Sequence, residues 1–154
     1  MKNKLYPLAV GGVFLLLGAA PAQAQFAKPE DAIKYRQSAF ALIGNHMGRI
    51  NGQLKSGSPN VQVIQSSAAL IETLSKLPFE AFVAGSESGG NPPTRAKPEV
   101  FKDAAKVKSL AEKMQSEVAR LAATAKGGDV NAIRAQFGEV GKACKACHDD
   151  YRKD

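Results

Sequence analysis

The residues with the most distinctive chemistry lie at the end of the chain, in the stretch KACKACHDDYRKD. Its cysteines, Cys144 and Cys147, are the only two of the chain, and His148, one of two histidines, directly follows the second. A C-x-x-C pair by itself is compatible with a redox dithiol, with half of a zinc site or with the attachment of haem. These alternatives differ in what must surround the cysteines.

The first two alternatives lack the surroundings that they need. A redox dithiol is expected at a helix N-terminus beside a βαβ unit, whereas this pair lies deep in a helix predicted to begin at Asp129, in a chain with no strand pattern. A structural zinc ion needs four ligands, and the remaining histidine, His46, is far away in sequence. A disulfide between positions three apart in one helix would be strained.

The full pattern C-x-x-C-H is the attachment signature of c-type haem. Residues three apart on a helix share a face, so both sulfurs could form thioethers with the two vinyl groups of one haem. A neutral imidazole is an ordinary ligand of haem iron. The sequence therefore predicts one haem c, held covalently through Cys144 and Cys147, with His148 as the ligand of its iron.

The first 24 residues have the features of a secretory signal peptide. Lys2 and Lys4 precede an apolar stretch, and Ala22-Gln23-Ala24 places small residues where a signal peptidase cleaves. An anchoring transmembrane helix is the alternative, but the stretch is slightly short and is interrupted by proline and glycine. We expect residues 1–24 to be removed and residues 25–154 to form one domain, exported to the periplasm with no membrane segment.

The sequence gives no indication of two classes of function, nucleic-acid binding and catalysis. The precursor carries a formal charge of +7, which becomes +5 without Lys2 and Lys4, and both signs are interspersed. Because there is no block of basic residues and no interleaving of basic and aromatic residues, we expect no nucleic-acid partner. No set of nucleophile, base and orienting group is evident, so we do not expect an enzyme.

Four segments with apolar residues at heptad spacing predict an all-α fold, an antiparallel left-handed four-helix bundle. The predicted helices begin at Pro29, at Ser58-Pro59, at Lys97-Pro98-Glu99 and at Asp129, and the third ends at Gly127-Gly128. The stripe of the first helix comprises Ile33, Arg36, Phe40, Ile43, Met47, Ile50 and Leu54. The long link after Pro78 is predicted to be an irregular loop whose start, PFEAF, packs Phe79 and Phe82 inward.

These features together resemble the cytochrome c′ family, the class II c-type cytochromes. The resemblance covers essentially residues 25–154 and rests on AKPEDAIKYRQSA near the start, LPFEAF with the Gly-rich loop after it, and the terminal CKACHDDYRK. It implies a homodimer of four-helix bundles with one haem c per chain. It also implies a five-coordinate iron with a proximal histidine and an apolar residue on the distal side.

The resemblance also assigns roles to individual residues. It implies that Arg36 and Gln37 contact the haem, and a buried guanidinium would suit a propionate, although Arg36 could instead extend to solvent. Phe40 corresponds to the distal position, where many members have leucine, so the larger ring is expected to change ligand access. Arg152 would lie beside the proximal histidine, and Glu87 would approach the haem edge from the loop.

The open axial position determines the predicted function. His46, Met47 and Met114 are rival sixth ligands, but Met47 lies roughly 10 Å along the helix from Phe40 and both methionines are expected in the core. An apolar pocket without donors favours NO and CO over O₂. We therefore predict a protein that binds NO and CO and also transfers electrons to a redox partner. The alternatives are a low-spin one-electron carrier and a haem-free interaction bundle with a disulfide.

Overall fold

The computed structural model describes residues 25–153; the predicted signal peptide, residues 1–24, and Asp154 lie outside them. Within residues 25–153 the backbone forms four α-helices and two short 3₁₀ helices, with no β-strand. The α-helices are α1 (Pro29–Lys55), α2 (Val61–Leu74), α3 (Ala104–Gly127) and α4 (Val130–Tyr151). The 3₁₀ helices, η1 (Leu77–Ala81) and η2 (Pro98–Phe101), lie between α2 and α3.

Helix α1 begins at the predicted proline, and its buried side follows the predicted stripe. Proline has the fixed φ that a first turn needs, and Glu30 and Asp31 in that turn face the positive end of the helix dipole. Phe40 departs from the rest of the stripe, because 36% of its surface is exposed.

Helix α2 begins later than predicted. Ser58-Pro59 does not cap it; Asn60 does, and its side chain accepts a hydrogen bond from Val63 N at 3.2 Å. Asparagine and serine are both favourable N-caps, so the local sequence does not distinguish the two starts. The link between α1 and α2 is therefore two residues longer than the sequence indicates.

The predicted start of α3 is also wrong. Lys97-Pro98-Glu99 opens the separate 3₁₀ helix η2, and Asp103, with φ −94° and ψ 44°, interrupts the chain before α3 begins at Ala104. The physical reason is tertiary packing: the turn buries Val100 against Val107 and Tyr151. A continuous helix is therefore replaced by a turn that packs onto the end of α4.

The α3–α4 connection agrees with its prediction. Gly128 adopts the left-handed conformation, with φ 75°, and its N–H donates to Ala125 O at 3.1 Å. Asp129 then caps α4, where its side chain accepts from the backbone N–H groups of Asn131 and Ala132. A left-handed glycine followed by an N-cap reverses the chain tightly, so α3 and α4 are antiparallel neighbours.

Apolar side chains of all four helices meet in one main cluster, and the predicted all-α, antiparallel four-helix bundle is confirmed. Its fully buried members include Ile50, Ile64, Ile71, Val118, Leu121 and Ile133. A second cluster, which we call the end cluster, consists of Val100, Val107 and Tyr151 with five partly buried residues packed against them: Phe82, Ala96, Phe101, Leu110 and Cys147. No α-helix in the described part of the chain is both long and apolar enough to cross a membrane.

One buried ionic group joins α3 to α4 and was not predicted. The Glu117 side chain is 4% exposed and accepts hydrogen bonds from Lys113 Nζ at 2.6 Å and Gln136 Nε2 at 2.8 Å. The bonds from Lys113 and Gln136 hold the pKa of Glu117 below its usual value. Because the carboxylate has these partners, its burial does not leave an unpaired charge in the bundle.

Candidate haem site

The two cysteines lie on the last turns of α4, between the two apolar clusters. Both are half-buried free thiols; Cys144 packs against the main cluster and Cys147 against the end cluster. Burial raises the pKa of both thiols, so both are uncharged at neutral pH. The pair therefore faces an apolar interior, as a covalent attachment site for an apolar ring requires.

His148 lies next to Cys147 in the last turn of α4 and is half-buried. Burial, followed by the positive charge of Arg152, lowers the pKa of the imidazole below its ordinary value. The neutral form of the ring is thus favoured at neutral pH, and neutral imidazole is the form that ligates iron.

A cleft of about 400 Å³ opens beside the end cluster. Phe82, Val100, Phe101 and Val107 belong both to the lining of this cleft and to the cluster that contains Cys147. The remaining lining residues are Phe79, Ala104, Lys108, Ala111, Glu112 and Gln115. A flat apolar group attached to Cys147 therefore has an apolar, partly aromatic wall against which it can pack.

Phenylalanine rings connect the predicted distal residue with this wall. The Phe40 ring lies edge-on to Phe79, with centroids 6.0 Å apart and planes at 87°. Phe79 is 6.3 Å from Phe82, which in turn is 5.7 Å from Phe101. Such offset and edge-to-face pairs contribute packing energy beyond their buried area. Phe40 therefore contacts the cleft wall through Phe79. Phe79 and Phe82 both pack against the apolar clusters, as predicted for PFEAF.

The predicted haem contacts Arg36 and Gln37 lie on α1 beside the loop between η1 and η2, residues 82–97. Arg36 is only 2% exposed, so the alternative in which it extends to solvent is wrong. Its guanidinium donates four hydrogen bonds to oxygens of residues 81–94, and Gln37 Nε2 donates to Pro92 O at 3.0 Å. Both side chains are thus engaged by the chain itself.

The other two predicted contacts are Arg152, at the end of α4, and Glu87, in loop 82–97. Arg152 is exposed and lines a second cleft together with His148, Lys97, Asp149 and Lys153, which places it beside the predicted iron ligand. Glu87 is half-buried in the loop, where its Oε1 accepts from Gly85 N at 3.1 Å. Burial lowers the pKa of the Arg36 guanidinium, and the negative charge of Glu87 partly offsets this lowering.

A short backbone pairing that the sequence does not reveal holds the end of α4. Lys97 N donates to Tyr151 O at 2.9 Å, and Lys153 N donates to Arg95 O at 2.8 Å, forming an isolated antiparallel bridge between Ala96 and Arg152. Backbone pairing of this kind has no side-chain signature. It secures the last turn of α4, on which His148 lies, against the loop.

The rival iron ligands lie elsewhere in the bundle. Met47 and Met114 pack in the main cluster, as predicted, and His46 Nδ1 lies 3.4 Å from Ser67 Oγ across the α1–α2 contact. Among residues 25–153, no group of three or more His, Cys, Asp or Glu side chains could hold a metal ion. The described residues therefore offer no ligand set for the zinc alternative.

A C-x-x-C pair whose second cysteine packs beside an apolar cleft, followed directly by a neutral histidine in an all-helical bundle, defines a c-type haem protein of the four-helix-bundle class. The family profile for Cytochrome C′ matches residues 31–152. The cytochrome c′ of Alcaligenes xylosoxydans xylosoxydans is 45% identical over 130 residues, which are 84% of this chain and 98% of the relative. The chain belongs to the cytochrome c′ family.

Solved structures agree with this assignment. The cytochrome c′ of Rubrivivax gelatinosus superimposes with a TM-score of 0.77 at 47% identity, covering 84% of this chain and all of that one. A ferrous variant from Alcaligenes xylosoxidans with bound NO gives 0.76 at 44% identity, covering 84% of this chain and 99% of that one. Family members carry a covalently attached c-type haem, and Cys144 and Cys147 are the cysteines that hold it here.

Proposed function

We propose that the protein is exported to the periplasm and binds NO and CO at a haem iron that His148 ligates on one side only. The proposal rests mainly on which residues line the cleft. Within residues 25–153, its lining contains no histidine, methionine or cysteine, the side chains that commonly compete for the second axial position. The rival ligands Met47 and Met114 are held in the main cluster instead.

The surroundings of the cleft favour these two gases over O₂. When bound, the haem supplies an iron that takes small diatomic ligands, and the residues around it decide which are stabilised. Here Phe79, Phe82 and Phe101 form an apolar side of the cleft, and the two side-chain donors of its lining, Lys108 and Gln115, both lie on α3. Bound O₂ is stabilised by nearby hydrogen-bond donors, whereas NO and CO depend on them less. The ferrous variant from Alcaligenes xylosoxidans with bound NO supports NO as a ligand of this haem.

An optical titration tests the proposal. We expect the Soret band of the ferrous protein to shift with NO and with CO, each change saturating at one gas molecule per haem. Met47→Leu is the matched control and should leave both titrations unchanged, because Met47 packs in the core. A ferrous spectrum that responds to neither gas would contradict the proposal.

Electron transfer is the second candidate function. The half-buried His148 lies at the end of the bundle in a surface cleft where Lys97, Arg152 and Lys153 outnumber one acidic residue, Asp149. A basic surface next to the haem attachment point favours encounter with an acidic redox partner. Electron transfer would be better supported than gas binding if a strong sixth ligand kept the iron low-spin in both oxidation states. Electron exchange would then need little structural reorganisation.

We also propose a homodimer formed through α1 and α2. Leu42 on α1 is 50% exposed and Leu70 on α2 is 46% exposed. Leu42 lies one turn before His46 and Leu70 about one turn after Ser67, and His46 contacts Ser67, so both leucines lie at one level of the bundle. A protein contact surface would use such exposed leucines at one level of two neighbouring helices.

A charge at this surface should prevent dimerisation. We expect Leu42→Lys to convert the protein from a dimer to a monomer in sedimentation velocity at micromolar concentration, because a buried, unpaired lysine is costly in an interface. Ser109→Lys adds the same charge on the exposed side of α3 and should remain dimeric. A dimer that persists in Leu42→Lys, or a monomeric wild type, would refute this interface.

A further inference from the structure

The contact between α1 and loop 82–97 gives Arg36 and Gln37 a role different from the one that the family resemblance implies. We infer that they are positioning residues, which anchor loop 82–97 and thereby fix the aromatic wall of the cleft, rather than ligands of the haem carboxylates. This inference deepens the proposed function, because it concerns the cleft in which the gas would bind.

The hydrogen bonds of Arg36 leave little of its guanidinium free. Nη1 donates to Ala81 O at 2.9 Å and to Ser86 Oγ at 2.7 Å. Nη2 donates to Ser86 O at 2.5 Å and to Thr94 Oγ1 at 3.0 Å. A guanidinium has five N–H donors, and these four bonds use all those on its two terminal nitrogens. A two-pronged grip on a carboxylate needs two adjacent N–H groups, which Arg36 no longer offers.

The acceptors of Arg36 are themselves held within the loop. Ser86 Oγ donates to Val83 O at 2.7 Å, and Ala96 N donates to Thr94 Oγ1 at 3.2 Å. Thr94 N donates to Gly89 O at 2.8 Å. The guanidinium therefore joins the two ends of the loop through one network, and no buried side-chain polar atom within residues 25–153 lacks a partner. Such a complete network makes the loop rigid.

Two further contacts hold the same loop against α1: the hydrogen bonds of Gln37, and the close approach of the Gly90 backbone to Ile33. Gln37 Nε2 donates to Pro92 O at 3.0 Å and to Pro93 O at 3.4 Å. At Gly90, with φ +86°, an added Cβ would lie 2.6 Å from Ile33 Cγ2. Only glycine tolerates both this conformation and this contact. The loop is thus seated on α1 at its middle as well as at its two ends.

The anchored loop reaches the cleft through Phe82, whose ring packs on Phe101 of η2. The Arg36 Cζ atom lies 5.1 Å from the centre of the Phe82 ring and 5.6 Å from that of Phe101, within the range of cation–π attraction. Both rings line the cleft and pack in the end cluster that includes Cys147. A displaced guanidinium would therefore loosen the loop and the cleft wall together.

Amide hydrogen exchange of the haem-loaded protein tests the anchoring. Arg36→Lys keeps the positive charge but cannot reproduce four forked hydrogen bonds, so we expect peptides from residues 83–96 to exchange about tenfold faster than in wild type. Arg49→Lys, an exposed position on the same helix, is the matched control and should exchange as wild type does. Unchanged exchange of this loop in Arg36→Lys would overturn the inference.

A second variant and a second readout separate positioning from general destabilisation. Gln37→Ala removes only the bonds to Pro92 and Pro93, and exchange should increase in residues 89–94 while peptides of α3 remain protected. The association rate of CO with the ferrous protein should change about threefold or more in Arg36→Lys, because the wall has moved. An unchanged CO rate with a loosened loop would overturn the link to the cleft. The exchange result stands even if the wild type binds no gas, so the two proposals can fail separately.

Discussion

Replacing Cys144 and Cys147 together by serine should abolish haem attachment, the largest effect that we expect from any change in this chain. A serine hydroxyl does not form the thioether that a cysteine forms with a haem vinyl group. The purified double variant should therefore lack a Soret band, whereas Ala146→Ser should keep it. Ala146 is a fair control because it is exposed and lies between the two cysteines on α4.

Intact mass of a periplasmic extract checks the same prediction and the proposed export together. Wild type should have the mass of a chain beginning at Gln25 plus one haem, and the double variant should have the mass of that chain alone. A variant that still carried covalent haem would show that other side chains hold it. A wild-type chain retaining residues 1–24 would show that the signal peptide is not removed.

Replacing Phe40 by alanine should have the second largest effect, on the access of gas to the cleft. Its ring packs edge-on against Phe79, which lines the cleft, and 36% of its surface is exposed. Removing the ring opens space beside the aromatic wall, so we expect CO to associate about tenfold faster with the ferrous protein. The loss of packing should also lower the free energy of unfolding by about 2 kcal/mol, less than for a fully buried phenylalanine.

Phe40→Leu serves as the intermediate in this series. Its smaller side chain keeps apolar contact at the distal position, so its CO association rate should lie between those of wild type and Phe40→Ala. Flash photolysis of the CO complex measures all three rates under one set of conditions. Equal rates in the three proteins would show that Phe40 does not control access, and the distal assignment would then be wrong.

Features that depend on local chemistry could be predicted from the sequence. The cap at Asp129 and the left-handed Gly128 each follow from neighbouring residues, and the structure agrees with them. The apolar heptad spacing likewise predicted the helix on which Cys144 and Cys147 lie. The inward packing of Phe82 also follows from its position in PFEAF, directly after a helix. Local residue types and spacing therefore sufficed to predict the bundle and the position of both cysteines on its last helix.

Features that depend on tertiary contacts could not be predicted in this way. Pro98 favours the start of a helix, yet packing of Val100 on Tyr151 turns that segment into a separate 3₁₀ helix. The burial of Arg36 was predicted from the apolar stripe, but its partners were not, because Ser86 and Thr94 are at least 50 residues away in sequence. The bridge between Ala96 and Arg152 uses only backbone atoms.

The spin state of the ferric protein at neutral pH tests most directly whether His148 is the only strong ligand that this chain gives the iron. Electron paramagnetic resonance of the purified protein should show a high-spin signal, since the cleft lining within residues 25–153 contains no histidine, methionine or cysteine. A purely low-spin signal would mean that a second strong ligand occupies the open position. It would contradict gas binding at a vacant site and favour the one-electron carrier.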